Sequence, residues 1–242
     1  MSLPAKYSQR YSSTSMRMFY EECEYRFYLI YVVDTEALPE FRAPYELGSN
    51  VHNIIQIYYS ELVSVPSEAE IGIKLRGIFN RYFNFGLKKT KKAQRIMNNL
   101  IKYEVNRLRS DPNDYLPQAV EQRARTAIWT GFYDVRLKNK IIDWKTGSKA
   151  DPDDRENIIQ ASVYYHSAKE LGYEIDTVEF VFLDSGEIFE MQFIEYDEMI
   201  KLVEGIEKAK NKRQFRKNTG KDCYYCTRRL TCQFDNKSRW RL

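Results

Sequence analysis

The spacing of apolar residues changes at about residue 118, and this change constrains the fold more than any other feature of the sequence. Before it, apolar residues recur at helical spacing in four segments, 11–33, 47–63, 68–85 and 90–109. After it, the pattern predicts strands over 118–130, 132–137, 140–145, 177–183 and 188–194, with helices over 155–171 and 196–214. The sequence therefore predicts an α/β fold, in which a mixed sheet core is flanked by helices.

A tight turn and a glycine refine this layout. Lys138-Asn139-Lys140 predicts a hairpin between the second and third strands, and Gly172 is expected to stop the helix before it. We expect residues 1–242 to form a single domain. Its parts are a mainly helical part over 1–110, an α/β core over 111–200 and a basic C-terminal segment over 201–242.

The composition excludes several classes of protein. The chain has 242 residues, of which 43% are hydrophobic and 30% charged, so it is neither disordered, nor collagen-like, nor a coiled coil. Its longest apolar run, 27–33, is far shorter than the roughly 20 residues of a membrane span. The first six residues lack the apolar core of a signal peptide. We expect a cytoplasmic protein with no membrane partner.

Positive charge is concentrated at the C-terminal end. Residues 201–242 carry 13 Lys and Arg against 4 Asp and Glu, whereas the rest of the chain has a net charge of −5. Such a segment suits a polyanion, although a solvated basic tail would have the same composition. Lys88, Lys89, Lys91 and Lys92 form a second cluster. In the first, aromatic residues at 215, 224 and 225 accompany the candidate DNA-binding cations Lys212, Arg213, Arg216, Lys217, Arg228 and Arg229.

Two aspartates and a lysine are candidates for catalysis. Asp143 and Lys145 alternate with Trp144 along a predicted strand, so they point to the same side. Hairpin pairing would bring Asp134 close to Asp143. Two adjacent carboxylates favour a hard cation such as Mg²⁺ or Mn²⁺, and the lysine can orient a water molecule. An ordinary surface ion pair would give the same Asp-x-Lys triplet.

Further motifs accompany this triplet in a fixed order. They are Gly48-Ser49-Asn50-Val51-His52, Glu121, Gly131-Phe132-Tyr133-Asp134, Asp143-Trp144-Lys145-Thr146-Gly147 and Gln160-x-x-x-Tyr164. This order resembles the PD-(D/E)XK nuclease superfamily, whose fold is restriction-endonuclease-like, and in particular its RecB-like exonucleases. The resemblance extends over residues 23–232.

The resemblance implies a role for each motif residue. Asp134, Asp143 and the backbone carbonyl of Trp144 would bind the metal, with His52 completing a site for Mn²⁺ or Mg²⁺. Lys145 would act on the attacking water. The remaining implied catalytic residues are Gln160 and Tyr164, which would position the DNA or the lysine, and Glu121, which is either catalytic or structural.

The four cysteines are unevenly distributed. Cys23 is far from the other three, Cys223, Cys226 and Cys232. Four thiolates can hold zinc or an iron–sulfur cluster, and their spacing does not separate the two; free buried thiols are the third reading. One early cysteine and three late ones resemble the CRISPR-associated Cas-four nucleases and the AddB nuclease domain. That resemblance implies a 4Fe–4S cluster that ties the first helix to the C-terminal segment.

The resemblance implies a metal-dependent DNA exonuclease acting on single-stranded ends, with 5′-to-3′ polarity. Suitable settings are CRISPR adaptation in antiviral defence, recombination, repair, and a virus or mobile element that carries a stand-alone copy. The partner would be an integrase or a helicase on another chain. One alternative is a DNA-binding or scaffold protein that makes little use of the catalytic centre. A second is a zinc-containing nucleic-acid-binding protein. The sequence does not specify the oligomeric state.

Overall fold

A computed structural model of the chain describes residues 7, 9–35, 43–83, 90–147, 150–218, 223, 226–229 and 231–232. The expectations for Lys88 and Lys89, and for Tyr224 and Tyr225, therefore lie outside the described residues. Within these ranges no helix is both long enough and apolar enough to cross a bilayer.

The first predicted helix, over 11–33, is in fact divided at Cys23. Cys23 has extended backbone, with φ of −160°, and its thiol accepts a hydrogen bond from the N–H of Arg26, which caps a new helix. Ser12 begins the first helix through a reciprocal capping box with Ser15. The resulting elements are α1, a π-helical turn and α2, at Ser13–Arg17, Met18–Glu22 and Glu24–Tyr31.

Three longer helices follow and pack together. They are α3, α4 and α5, at Ala43–Ser60, Glu68–Tyr82 and Lys91–Ser110. Ser67 and Thr90 cap the starts of α4 and α5 through their side-chain oxygens. Apolar side chains of all three helices share one buried cluster, whose members include Ile54, Leu75 and Leu100. This cluster covers one face of the sheet.

The predicted mixed sheet is confirmed and has five strands in the order β1-β2-β3-β4-β5. The strands β3 and β4 are parallel and every other neighbouring pair is antiparallel. The hairpin expected at Lys138–Lys140 joins β2 to β3. The strands are Ala119–Arg125, Thr130–Arg136, Lys140–Lys145, Thr177–Phe182 and Glu187–Glu190.

Two strands end at least four residues earlier than the sequence predicts, and the other strand boundaries agree within two residues. The strand expected over 118–130 ends at Arg125, because the hydroxyl of Thr126 accepts hydrogen bonds from the N–H groups of Ile128 and Trp129 and forms a turn. The last strand ends at Glu190 rather than at residue 194. There the N–H of Ile194 donates to the hydroxyl of Ser162 at 2.9 Å, not to a neighbouring strand.

Two helices complete the fold. Helix α6, Arg155–Glu170, lies between β3 and β4 in the chain, and Gly172 follows its end with a positive φ of 80°, as the sequence predicts. Helix α7 is Tyr196–Lys212. It ends at Arg213, whose backbone adopts the left-handed helical conformation. Apolar residues of α6 and α7 belong to two further buried clusters. These clusters lie on the other side of the sheet from α3–α5.

Candidate active site

The two aspartates lie where β2 and β3 separate. The strands pair at Val135↔Ile142, and Asp134 and Asp143 occupy the next position, where no further ladder pair forms. Instead, the N–H of Trp144 donates a 2.8 Å hydrogen bond to Oδ2 of Asp134. Both carboxylates are nearly buried. The hairpin therefore brings Asp134 close to Asp143, as the sequence predicts.

Burial and the neighbouring aspartate change the protonation of this pair. Removal from water, and then the negative charge of Asp143, raise the pKa of the Asp134 carboxyl, which the contacts with His52 and with the Trp144 amide only partly offset. Two close carboxylates of this kind bind a cation or a proton more tightly than one exposed carboxylate would.

His52 extends from α3 to the same point. Its Nε2 lies 3.1 Å from the carbonyl oxygen of Trp144, and its Nδ1 lies 3.4 Å from Oδ2 of Asp134 and 3.8 Å from Oε1 of Glu121. Burial lowers the pKa of the imidazole, but hydrogen bonding to the Asp134 and Glu121 carboxylates outweighs it and raises the pKa to about 10. Without a cation, His52 is therefore charged and balances the carboxylates.

Glu121 adopts a strained backbone conformation on β1. Its φ is +49°, in the left-handed region that residues other than glycine rarely occupy. The pairs Val120↔Val135 and Gln122↔Tyr133 flank it, while Glu121 and Asp134 lie opposite each other without a ladder pair. This local irregularity accompanies the approach of the Glu121 carboxylate to His52. Strain of this kind is concentrated at functional sites.

These side chains form a group that fits a divalent cation. In the described part of the chain, His52, Glu121 and Asp134 are the one set of three or more potential ligands whose atoms all lie within 4.8 Å of one another. Carboxylate oxygens with one imidazole suit Mn²⁺ or Mg²⁺. Oδ2 of Asp143 is buried and accepts no hydrogen bond of good geometry, although Nζ of Lys145 lies 2.7 Å away. The residues present therefore fit the expected metal.

Lys145 is held by residues of β3 and α6. Its ammonium lies 2.7 Å from Oδ2 of Asp143 and donates a 2.5 Å hydrogen bond to Oε1 of Gln160. The Gln160 amide donates to Oδ1 of Asp143 at 3.0 Å and to the hydroxyl of Tyr164 at 2.7 Å. Gln160, Tyr164 and Asp143 thus fix the position of the lysine.

Tyr164 completes this network by donating to Oδ1 of Asp143 at 3.0 Å. Burial, and then the charge of Asp143, raise the pKa of Tyr164 well above its usual value, so the phenol keeps its proton and remains a donor. The sequence did not single out Phe180, whose ring centroid is 4.3 Å from Nζ of Lys145. Phe180 lies opposite Asp143 in the parallel pair of β3 and β4, and the sequence would reveal this position only if the order of the strands were known.

The four cysteines do not form a ligand set as tight as a tetrahedral zinc site. No three of their sulfurs lie within 4.8 Å of one another, and each thiol is free and partly buried. Cys23 nevertheless lies beside the C-terminal segment, since its Sγ accepts from the N–H of Asn218 at 3.5 Å and the Cys223 thiol contacts the Asn218 carbonyl. Burial raises the pKa of Cys226, and the charges of Cys23 and Cys223 add to this effect.

The C-terminal segment contacts α2 through several other groups. The carbonyl of Arg216 accepts from the N–H of Tyr25 at 3.0 Å, and the Arg216 guanidinium pairs with Glu24 at 2.8 Å. Phe215 stacks on Tyr28 with 4.7 Å between ring centroids. These contacts join the two ends of the described chain.

The expected DNA-binding cations are dispersed around this contact. Lys212, Arg213 and Arg216 are exposed. Lys217 lies over the Tyr25 ring, 4.2 Å from its centroid. Arg228 and Arg229 are partly buried.

The sheet, its flanking helices and the acidic group with its adjacent lysine are features of a nuclease. The family model of the PD-(D/E)XK nuclease superfamily matches residues 11–233. The chain therefore belongs to the PD-(D/E)XK nuclease superfamily, and this membership implies a metal-dependent nuclease that binds DNA. No curated protein matches the sequence.

Proposed function

We propose that this protein is a Mg²⁺- or Mn²⁺-dependent deoxyribonuclease that removes nucleotides from the ends of single-stranded DNA. The observation that carries the proposal is the position of Lys145, whose ammonium is fixed by Asp143 and Gln160 beside the acidic group. A lysine held so rigidly next to a metal-binding set is suited to orienting a water molecule and to stabilising negative charge on a phosphate.

The metal would be held by His52, Asp134 and Asp143, with the Trp144 carbonyl and Glu121 as the remaining candidate ligands. Two observations support this set: three of its ligand atoms are grouped within 4.8 Å, and the buried Oδ2 of Asp143 is paired only with the Lys145 ammonium and accepts no hydrogen bond of good geometry. When bound, a divalent cation polarises the phosphate and lowers the pKa of a bound water. Tyr164 and Gln160 would keep Asp143 and Lys145 in position throughout the reaction.

The finer assignment is a RecB-like exonuclease of the Cas-four type, formed by residues 1–242 as one domain. The order of the motifs at positions 52, 134, 143–145 and 160–164 supports it. The partner would be an integrase or a helicase on a separate chain, in CRISPR adaptation or DNA repair. The C-terminal cations would contact DNA phosphates without reading sequence; these are Lys212, Arg213, Arg216, Lys217, Arg228 and Arg229.

The cysteines would hold a 4Fe–4S cluster with a structural role. Contacts of Cys23 and Cys223 with Asn218, together with the effect of Cys23 and Cys223 on the pKa of Cys226, support the use of the cysteines as one set. Each thiolate of a cubane cluster binds a different iron atom, so its sulfurs are farther apart than those around one zinc ion. Zinc is the alternative metal.

Cleavage of end-labelled single-stranded DNA by anaerobically purified protein with Mn²⁺ tests this proposal. The decisive variant is Lys145→Ala, and the matched control is Lys140→Ala. Lys140 lies on the same strand and pairs with Glu179 at 2.9 Å, outside the site. We expect wild type and Lys140→Ala to release label, and Lys145→Ala to bind DNA without releasing it.

Equal cleavage by Lys145→Ala and wild type would refute the role of the lysine. Binding without cleavage in all three proteins, with Mg²⁺, Mn²⁺ and both strand ends tried, would instead support a DNA-binding or scaffold protein. An internally labelled circular strand separates exonuclease from endonuclease activity, because an exonuclease needs an end.

A further inference from the structure

One phenylalanine next to the acidic group is exposed. Phe132 retains 52% of its accessible surface and lies on β2 beyond the last pair that β2 forms with β3. No other phenylalanine in the described ranges is exposed. A large apolar ring that is this exposed beside a candidate site is available to contact a ligand.

The direction of the Phe132 ring follows from its neighbours. The hydroxyl of Tyr133 lies 2.7 Å from that of Ser167 on α6, and a β-carbon at Gly131 would lie 3.6 Å from the ring of Tyr164, also on α6. Side chains alternate along a strand, so Phe132, between these two residues, points away from α6. The ring is thus free to contact a ligand on the opposite side.

Phe132 on β2 and Arg123 on β1 form the cross-strand pair that lies two positions from the carboxylates of Asp134 and Glu121. Phe132 pairs with Arg123 in the antiparallel register, and the residues two positions further on are Asp134 and Glu121. Two residues of a strand span roughly 7 Å, about one nucleotide spacing in an extended single strand. A strand that runs along β2 with a phosphate at the carboxylates would place its next nucleotide above Phe132.

Two arginines of β1 lie on the same side of the sheet as the ring. Arg123 and Arg125 are both exposed, and neither forms an ion pair with another described residue. Arg123 shares the side of the sheet with Phe132, because directly paired residues of antiparallel strands point the same way. Cations that the protein does not neutralise complement a phosphate backbone, and an aromatic face complements an unpaired base.

We propose that Phe132 and Arg123 form a strand platform, in which a base of single-stranded DNA stacks on the Phe132 ring while Arg123 contacts an adjacent phosphate. The proposal rests on the proposed nuclease function and specifies its substrate. Bases in a duplex already stack on their neighbours, so the platform selects unpaired strands. Stacking accepts every base, so it confers no sequence preference.

Affinity measurements in a background that does not cleave test the platform. Fluorescence anisotropy with a labelled strand of about 16 nucleotides would be carried out on Lys145→Ala protein carrying Phe132→Ala, Phe132→Tyr or the control Ile188→Ala. Ile188 is a similarly exposed apolar residue, on β5 at the far edge of the sheet. We expect Phe132→Ala to weaken binding by about 10-fold, within the range measured for loss of one stacked base. Phe132→Tyr and Ile188→Ala should bind as the parent does.

An abasic strand distinguishes stacking from a general loss of fold. In a series of strands, one nucleotide lacks its base, at a different position in each strand. When the missing base is the one that stacks on Phe132, the parent protein and the Phe132→Ala variant should bind with equal affinity. Independently, Arg123→Gln should reduce the slope of log affinity against log salt by about 0.7, the value for one phosphate contact of a single strand. The control for this arm is Arg76→Gln, an exposed arginine on α4.

The outcomes separate this inference from the proposed function. Unchanged affinity of Phe132→Ala for single strands, or a loss that persists at every abasic position, would overturn the platform even if wild type cleaves DNA. Absence of cleavage by wild type would refute the nuclease activity alone, since a stacking effect at one abasic position would still establish the platform.

Discussion

The backbone N–H of Trp144 donates to Oδ2 of Asp134 across 2.8 Å, so the strand that carries Asp143 and Lys145 also fixes the aspartate of the neighbouring strand. One oxygen of Asp134 is thereby oriented by the backbone, while His52 approaches the same oxygen at 3.4 Å from α3. The spacing of the two carboxylates is therefore set by the sheet and requires no metal to assemble it. A site arranged in advance in this way loses little entropy when the substrate binds.

Gln160 is predicted to act through the position of Lys145. Gln160→Leu removes the hydrogen bonds to Lys145, Asp143 and Tyr164 with little change in volume. We expect kcat to fall by about 100-fold, the effect of a misplacement of about 1 Å, with DNA affinity unchanged. The control is Asn157→Leu, one turn earlier on α6, whose side chain bonds to the carbonyl of Asp151. A loss of affinity equal to the loss of kcat would contradict a positioning role.

Metal binding is predicted to stabilise the fold. At a Mn²⁺ concentration of about 100 times Kd, the gain of about 2.7 kcal/mol should raise Tm by roughly 5–10 °C for a chain of this length. His52→Ala and Glu121→Gln should lose most of this shift in differential scanning fluorimetry. Glu187→Gln, which removes an exposed carboxylate on β5, should retain it. A full shift in both site variants would show that the cation binds elsewhere.

Loss of one cysteine is predicted to release the metal. Cys226→Ser should lose bound iron and visible absorbance and should lower Tm, because the C-terminal segment would no longer be fixed to α2 through the cluster. Elemental analysis of anaerobically purified protein measures iron and zinc together. Thr231→Ala, in the same segment, serves as the control and should keep its iron. Stoichiometric zinc in wild type, or full iron in Cys226→Ser, would rule out the assignment.

A buried ion pair within α5 is predicted to contribute strongly to stability. Glu104 is fully buried and accepts from Tyr59 at 2.5 Å and from Arg107 at 3.0 Å. Glu104→Ala would leave the Arg107 charge buried without its partner, so we expect a loss of about 3–5 kcal/mol in the free energy of unfolding, measured by urea denaturation. Glu68→Ala removes an exposed partner of Arg109 and should leave the midpoint nearly unchanged. Similar midpoints for both variants would contradict this account.

Periodicity predicted the elements of this fold better than their ends. The hairpin between β2 and β3 and the stop at Gly172 follow from local rules, and both are found in the structure. The break at Cys23 was missed because a thiol that caps a helix looks like any other residue of an apolar pattern. The turn at Thr126 was missed because its side-chain hydrogen bonds replace the usual glycine or proline.

The candidate site was predictable to the extent that it depends on the hairpin. Asp134 and Asp143 meet because of strand pairing, which the turn residues indicate. The approach of Glu121 to His52 depends on a left-handed residue within a strand, which no propensity predicts. The exposure of Phe132 depends on α6 covering only one side of β2, and tertiary packing of this kind has no local signal.

The contact between Glu24 and Arg216 also has a consequence during synthesis. The two residues are 192 positions apart, and a ribosome that adds about 5–20 residues per second needs roughly 10–40 s to produce the second after the first. Throughout this interval the aromatic side of α2, with Tyr25 and Tyr28, lacks the segment that later covers it. The nascent chain therefore exposes a surface to which a chaperone can bind until the last segment emerges.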